Sequence, residues 1–82
     1  MIKVVINSYI HYRFEPNIDN GTLYIYNSKN RKIVKSNYTA YKILKLIDDG
    51  NSYEELMELF RDSQAAVISF LDTLKMNDVI SG

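Results

Sequence analysis

The chain begins with apolar residues at every second position and ends with apolar residues at every third or fourth. Ile2, Val4 and Ile6 share one parity, and Ile10, Tyr12 and Phe14 share it further on, with Ser8 interrupting the two runs. This alternation predicts a weak leading strand and then a firmer one over residues 9–14. Glu15-Pro16-Asn17-Ile18-Asp19-Asn20-Gly21 supplies turn chemistry, because Pro16 fixes φ and Asn20-Gly21 tolerates φ > 0. Residues 22–26 are β-branched, aromatic or apolar and predict a second strand. A turn over Asn27-Ser28-Lys29-Asn30 leads to a third strand over residues 31–35, marked by the β-branched pair Ile33 and Val34. Three antiparallel strands with short turns make a meander whose single apolar face needs a cover.

The second half supplies that cover. Asn37 is a good N-cap, and Ala40, Ile43, Leu44 and Ile47 then fall on one face of a helix over residues 38–48. Asp49-Gly50 ends it, with Gly50 suited to a left-handed C′ position. Ser52-Tyr53-Glu54-Glu55 reads as a capping box that opens a second helix, with its acidic pair at the positive end of the helix dipole. Leu56, Leu59 and Phe60 are its expected buried stripe. A third helix starts after Asp62 or Ser63 and runs to about Met76, with Val67, Phe70, Leu71 and Leu74 inward. Asn77-Asp78 breaks it, and Val79-Ile80 returns as an apolar tail suited to one more β-bridge. The expected fold is α+β and winged-helix-like, a three-stranded antiparallel sheet followed by three helices. With 82 residues it forms a single domain over 1–82.

Charge and composition narrow the function. Ten basic and ten acidic residues cancel, which removes the global pull expected of a nucleic-acid binder. The absence of cysteine excludes disulfides, thiolate zinc sites and thiolate-held iron–sulfur clusters. The apolar run over residues 1–6 is too short for a signal peptide, and no stretch approaches the roughly 20 residues of a membrane span. A cytoplasmic protein with no membrane partner is the expectation.

Catalysis finds little footing. His11 is the only histidine, mid-strand, with no serine or cysteine at a motif spacing. The carboxylates Asp48 and Asp49, and Glu54, Glu55 and Glu58, sit at a helix end and a helix start, where solvation, capping and the dipole account for them. Gly21, Gly50 and Gly82 are isolated, so there is no phosphate loop. No catalytic residue, metal or cofactor is expected. A recognition helix for duplex DNA should carry Arg, Lys, Asn or Gln, whereas the third helix offers Gln64 and Lys75, with Asp72 opposing phosphate. A small winged-helix DNA-binding regulator is therefore the alternative reading. The many tyrosines, Tyr24, Tyr26, Tyr38 and Tyr41 among them, fit half-buried packing with hydroxyls at the surface, with a stacking platform for bases or sugars as the lesser alternative.

Residues 29–35 stand apart, with four basic side chains in seven. A short basic strand at a sheet edge can accept an added strand through its free backbone groups, while its lysines attract an acidic peptide. The same lysines also protect an edge from sheet-to-sheet aggregation.

The order of Tyr12-Arg13-Phe14-Glu15, a Gly-containing turn, the basic strand, Asn37-Tyr38-Thr39-Ala40-Tyr41-Lys42-Ile43-Leu44, Asp49-Gly50, Ser52-Tyr53-Glu54-Glu55-Leu56 and finally Val67, Phe70-Leu71 and Leu74 resembles the PqqD-like family. These are precursor-peptide recognition domains of pathways that make and modify ribosomal peptides, and the resemblance spans roughly residues 9–80. Ser36, where the family often has an apolar residue, and the short 61–63 connection depart from it. The resemblance implies a non-catalytic carrier. It would bind the leader of a precursor peptide as an added strand on the third strand, toward the third helix. It would then present the leader to a separate modifying enzyme, often a radical S-adenosylmethionine maturase. Carried onto this chain, the surface comprises Arg31, Lys32, Ile33, Val34 and Lys35 on the strand, with Gln64, Ile68, Leu71, Asp72 and Lys75 on the third helix. Ile68 is an apolar member of a polar flank. An unpaired edge also permits strand exchange, so both a monomer and a strand-exchanged dimer are open.

Overall fold

The computed structural model describes residues 2–82; Met1, the first residue of the short apolar run at the start, lies outside them. Alternation in the first half produces a three-stranded antiparallel meander of β2 (Ile10–Glu15), β3 (Thr22–Asn27) and β4 (Lys32–Ser36), in that spatial order. The register places Ile25 between Tyr12 and Val34, and Leu23 between Phe14 and Ser36. These side chains share one face, because strand residues alternate across a sheet. Leu23 and Ile25 are fully buried on it. Helix α1 (Tyr38–Asp48) buries Ala40, Ile43, Leu44 and Ile47, helix α2 (Tyr53–Leu59) buries Leu56, and helix α3 (Gln64–Met76) buries Val67, Leu71 and Leu74 in the same core. Fold class, helix order and meander are as the pattern predicts.

The helix ends follow from local chemistry. Asn37 Oδ1 accepts from the Ala40 N–H at 3.0 Å. Ser52 and Glu55 form the reciprocal capping box, with Ser52 N–H donating to Glu55 Oε1 and Glu55 N–H to Ser52 Oγ. At the end of α1, Gly50 adopts φ +98°, and the Gly50 and Asn51 amides donate back to Ile47 and Leu46 in a Schellman closure.

The weak leading strand is β1 (Val5–Ile6), and it pairs antiparallel with β5 (Ile80–Ser81), the bridge expected of the apolar tail, in a separate two-stranded sheet. Two expectations change. Arg31 is not in the third strand. It closes the Ser28–Arg31 turn in the left-handed region at φ +63°, so β4 starts at Lys32. Leu59 is 59 % exposed, because the inward side of α2 and its end is made by Tyr53, Leu56, Met57 and Phe60, at three-to-four spacing, and Leu59 falls beside it. A single 3-10 turn (Arg61–Ser63) separates α2 from α3.

An aromatic stack fastens α1 to β2. The Phe14 ring lies 4.6 Å from that of Tyr41 at 12° and 5.6 Å from that of Tyr38. Gly21, at φ +112°, backs this stack, since a Cβ there would come within 2.8 Å of the Phe14 ring. Nearby, the Tyr12 hydroxyl donates to Asp48 Oδ2 at 2.5 Å. Burial and then the Asp48 carboxylate push the Tyr12 hydroxyl well above the usual tyrosine range.

Two outcomes are expected. Gly21→Ala, strained in backbone and crowded by Phe14, should lower stability by about 2 kcal/mol in urea denaturation. Tyr12→Phe should cost about 1 kcal/mol at neutral pH. The native pKa of Tyr12 lies above the unfolded value of about 10, so its contribution is complete below that pH and is lost as pH rises further. Stability curves of wild type and Tyr12→Phe should therefore converge above about pH 10.

Candidate functional site

Strand β4 is a sheet edge: β3 flanks it on one side, and no strand pairs with the other among the described residues. Parity divides its side chains. Lys32, Val34 and Ser36 lie on the core side, with Val34 half-buried, while Ile33 and Lys35 lie on the outer face, where Ile33 is 61 % exposed. Where β4 ends, an apolar groove of about 270 Å³ opens between the start of α1 and one flank of α3. Ala40, Ile43 and Val67 form its floor, Phe60, Ala66 and Phe70 its walls, and Ser36, Asn37, Thr39 and Ser63 its polar rim. Asn27 fixes the opposite end of β4. Its Oδ1 accepts from the Lys29 and Asn30 amides, and its Nδ2 reaches the Asn77 carbonyl beyond α3 at 3.5 Å. The sheet edge thus approaches α3 at two points, through Asn27 at the turn, which reaches Asn77, and through Ser36, which shares the groove with Ser63, Ala66 and Phe70.

The structure places the helix half of the expected surface on a different side of α3 from the groove. Ile68, Leu71, Asp72 and Lys75 line a different cavity, of about 340 Å³, together with Ile2, Val4, Tyr53 and Ile80. At roughly 100° per residue, Ser63, Ala66 and Phe70 fall on one side of the Val67–Leu71–Leu74 core stripe, and Ile68, Asp72 and Lys75 fall on the other. Only the first flank shares a groove with a residue of β4, Ser36. Leu71 itself is buried, and Gln64 Nε2 donates to the Met57 carbonyl at 3.1 Å, which ties it to α2. Arg31, Lys32, Ile33, Val34 and Lys35 remain contiguous along the turn and the edge. The residues beside the edge that sequence reasoning did not assign to this surface are Ser36, Phe60, Ser63, Ala66 and Phe70, which line the groove, and Asn27, which caps the turn. A small residue at 66 one turn before an aromatic at 70 is the signal that could have marked the flank.

Charge is segregated across the molecule. The strand half, residues 9–36, holds Arg13, Lys29, Arg31, Lys32 and Lys35 against Glu15 and Asp19 alone. The helical half holds Asp48, Asp49, Glu54, Glu55, Glu58, Asp62, Asp72 and Asp78 against Lys42, Lys45, Arg61 and Lys75. Ion pairs join Arg13 to Glu15, Lys45 to Asp49 and Arg61 to Glu58, whereas Arg31, Lys32 and Lys35 form none among the described residues. Lys35 Nζ instead sits 5.7 Å from the Tyr24 ring centre. The edge therefore presents cations without internal counter-charges beside an apolar groove.

Other chemistry is sparse. His11 is exposed and stacks on Tyr26 at 6.4 Å. No group of three or more His, Asp or Glu residues able to hold a metal occurs among the described residues, and none of their helices is long and apolar enough to cross a membrane. Comparison with protein-family models, with curated proteins and with solved structures finds no match to this chain.

Proposed function

We propose that this protein is a non-catalytic carrier that takes an acidic peptide as an added strand on β4. In the reading that the family resemblance supplies, the peptide is the leader of a ribosomally made precursor. A separate modifying enzyme, of the radical S-adenosylmethionine type, then acts on the presented precursor. The observation that carries the proposal is the juxtaposition of an unpaired cationic edge with an apolar groove. Each half of that pair would recognise one property of a ligand strand. Backbone pairing along Lys32–Ser36 supplies affinity for any extended peptide. Side chains of the added strand then alternate, one set turned to the Phe60–Ala66–Phe70 groove and the other lying beside Ile33 and Lys35. The fitting ligand is a two-faced strand, apolar on the groove side and acidic on the other.

The same features disfavour a second copy as the occupant. Two β4 edges brought together would set Lys32 and Lys35 against their own kind, and like charges directly opposed are destabilising. The duplex-DNA alternative has less support, since the solvent side of α3 presents Ala65, Ser69, Asp72 and Met76 and no arginine.

The test is a fluorescence-anisotropy titration with a labelled leader peptide encoded beside the gene. Saturable binding is expected. Combined Lys32→Glu and Lys35→Glu substitution should weaken it about tenfold and flatten its salt dependence. Ala66→Glu, which places a carboxylate in the groove from an exposed position, should weaken it by at least about tenfold. Ile68→Asp, on the opposite flank of α3, should leave it unchanged. Equal affinity for wild type and Ala66→Glu would remove the groove from the binding surface. Modification of the precursor by this protein alone would overturn the carrier role.

A further inference from the structure

The inward face of the meander is buried by helices, but its outer face is bare. On that face the register aligns two cross-strand rows, His11–Tyr26–Ile33 and Arg13–Tyr24–Lys35. Tyr26 is 37 % exposed, the Arg13 side chain 80 % and Ile33 61 %, while Tyr24 is half-buried with Lys35 Nζ 5.7 Å from its ring centre, so the rows are covered by side chains of the sheet itself and by no other element. The two tyrosines are alternate residues of the central strand and lie about 7 Å apart along it. His11 stacks on Tyr26 within 29° of parallel. Cations flank the rings from both neighbouring strands: Arg13 on β2 and Lys35 on β4. Lys29 stands at the turn end, 5.2 Å from the Tyr9 ring centre. Glu15, paired with Arg13, is the one carboxylate of β2–β4.

We propose that this outer face of β2–β3–β4 binds single-stranded nucleic acid, with two successive bases stacked on Tyr24 and Tyr26 and the phosphates held by Arg13 and Lys35. Open sheet faces with aromatic residues on the central strand stack bases irrespective of sequence, because every base has a π-face. Duplex DNA hides those faces, so the platform selects single strands. The zero net charge of the chain argued against nucleic acid, but that balance is global. The sheet half alone is cationic, and the opposing carboxylates lie on the helices. An acidic protein surface would satisfy the same cations, but Ile33 alone supplies an aliphatic contact on this face, and protein interfaces are built around a larger apolar centre. The tyrosine pair favours bases. The inference does not depend on strand addition at the β4 edge, since the rings lie on the sheet face and the groove lies on the other side.

A fluorescein-labelled short oligothymidylate, titrated at low salt and followed by anisotropy, tests this. Saturable binding is expected, with the matching duplex binding at least about tenfold more weakly. Tyr24→Ala and Tyr26→Ala should each weaken binding about tenfold, while Tyr24→Phe and Tyr26→Phe, which keep the ring and the strand, should retain it. Arg13→Glu should weaken binding and reduce its salt dependence. Ala66→Glu, in the groove, should have no effect. Absence of binding, equal binding of the duplex, or undiminished binding by the Tyr→Ala variants would each overturn the proposal. An acidic peptide whose binding requires Tyr24 and Tyr26, while oligothymidylate ignores them, would assign the face to a protein partner instead.

Discussion

One constraint governs this small domain: an open three-stranded sheet has a single face to bury, and only Leu23 and Ile25 lie fully at its centre. Leu44 on α1, Leu56 on α2 and Leu74 on α3 are likewise fully buried, and all five meet in one cluster. Removing any of them would leave a cavity costing about 2–5 kcal/mol, a large share of the stability of a chain this size. The helices cover the sheet from one side only. Two consequences follow, an unpaired edge at β4 and a bare outer face, and both proposed activities stem from them.

The parts of the fold that depend on local chemistry were legible in the sequence. The Asn37 cap, the Ser52–Glu55 box and the glycine at position 50 each state where a helix begins or stops, and each is realised by the hydrogen bonds that its residue type implies. The partner of each short terminal strand was not. Val5–Ile6 and Ile80–Ser81 are two-residue segments at opposite ends of the chain, too short for alternation to declare a register. The Asn7 side chain, which donates to the Asp78 carbonyl, helps fix that pairing. The left-handed Arg31 was hidden because arginine carries no preference for φ > 0; the turn imposes it.

The proposed binding surface was half legible for a related reason. Parity along β4 separates its two faces without further information. Helical periodicity, in contrast, defines the core stripe of α3 and leaves two flanks equivalent until the helix is docked. Polar character drew attention to the Ile68–Asp72–Lys75 flank. Docking turns the small and aromatic flank, Ala66 and Phe70, to the edge instead. The chemistry of a groove that receives apolar side chains is itself apolar, so from sequence it reads as core.

Charge segregation reaches beyond any one binding site. A molecule with cations on its sheet and carboxylates on its helices has no net repulsion to keep copies apart near its pI of about 6.5. Its two halves also carry net charge of opposite sign. The attractive orientation sets the sheet of one copy toward the helices of the next, a head-to-tail contact with no symmetry that closes it. Dilute buffer therefore favours open chains of weakly associated molecules, and modest ionic strength, with a screening length of about 8–10 Å, disperses them. Near the pI the protein is therefore expected to salt in, its solubility rising from dilute buffer to modest ionic strength.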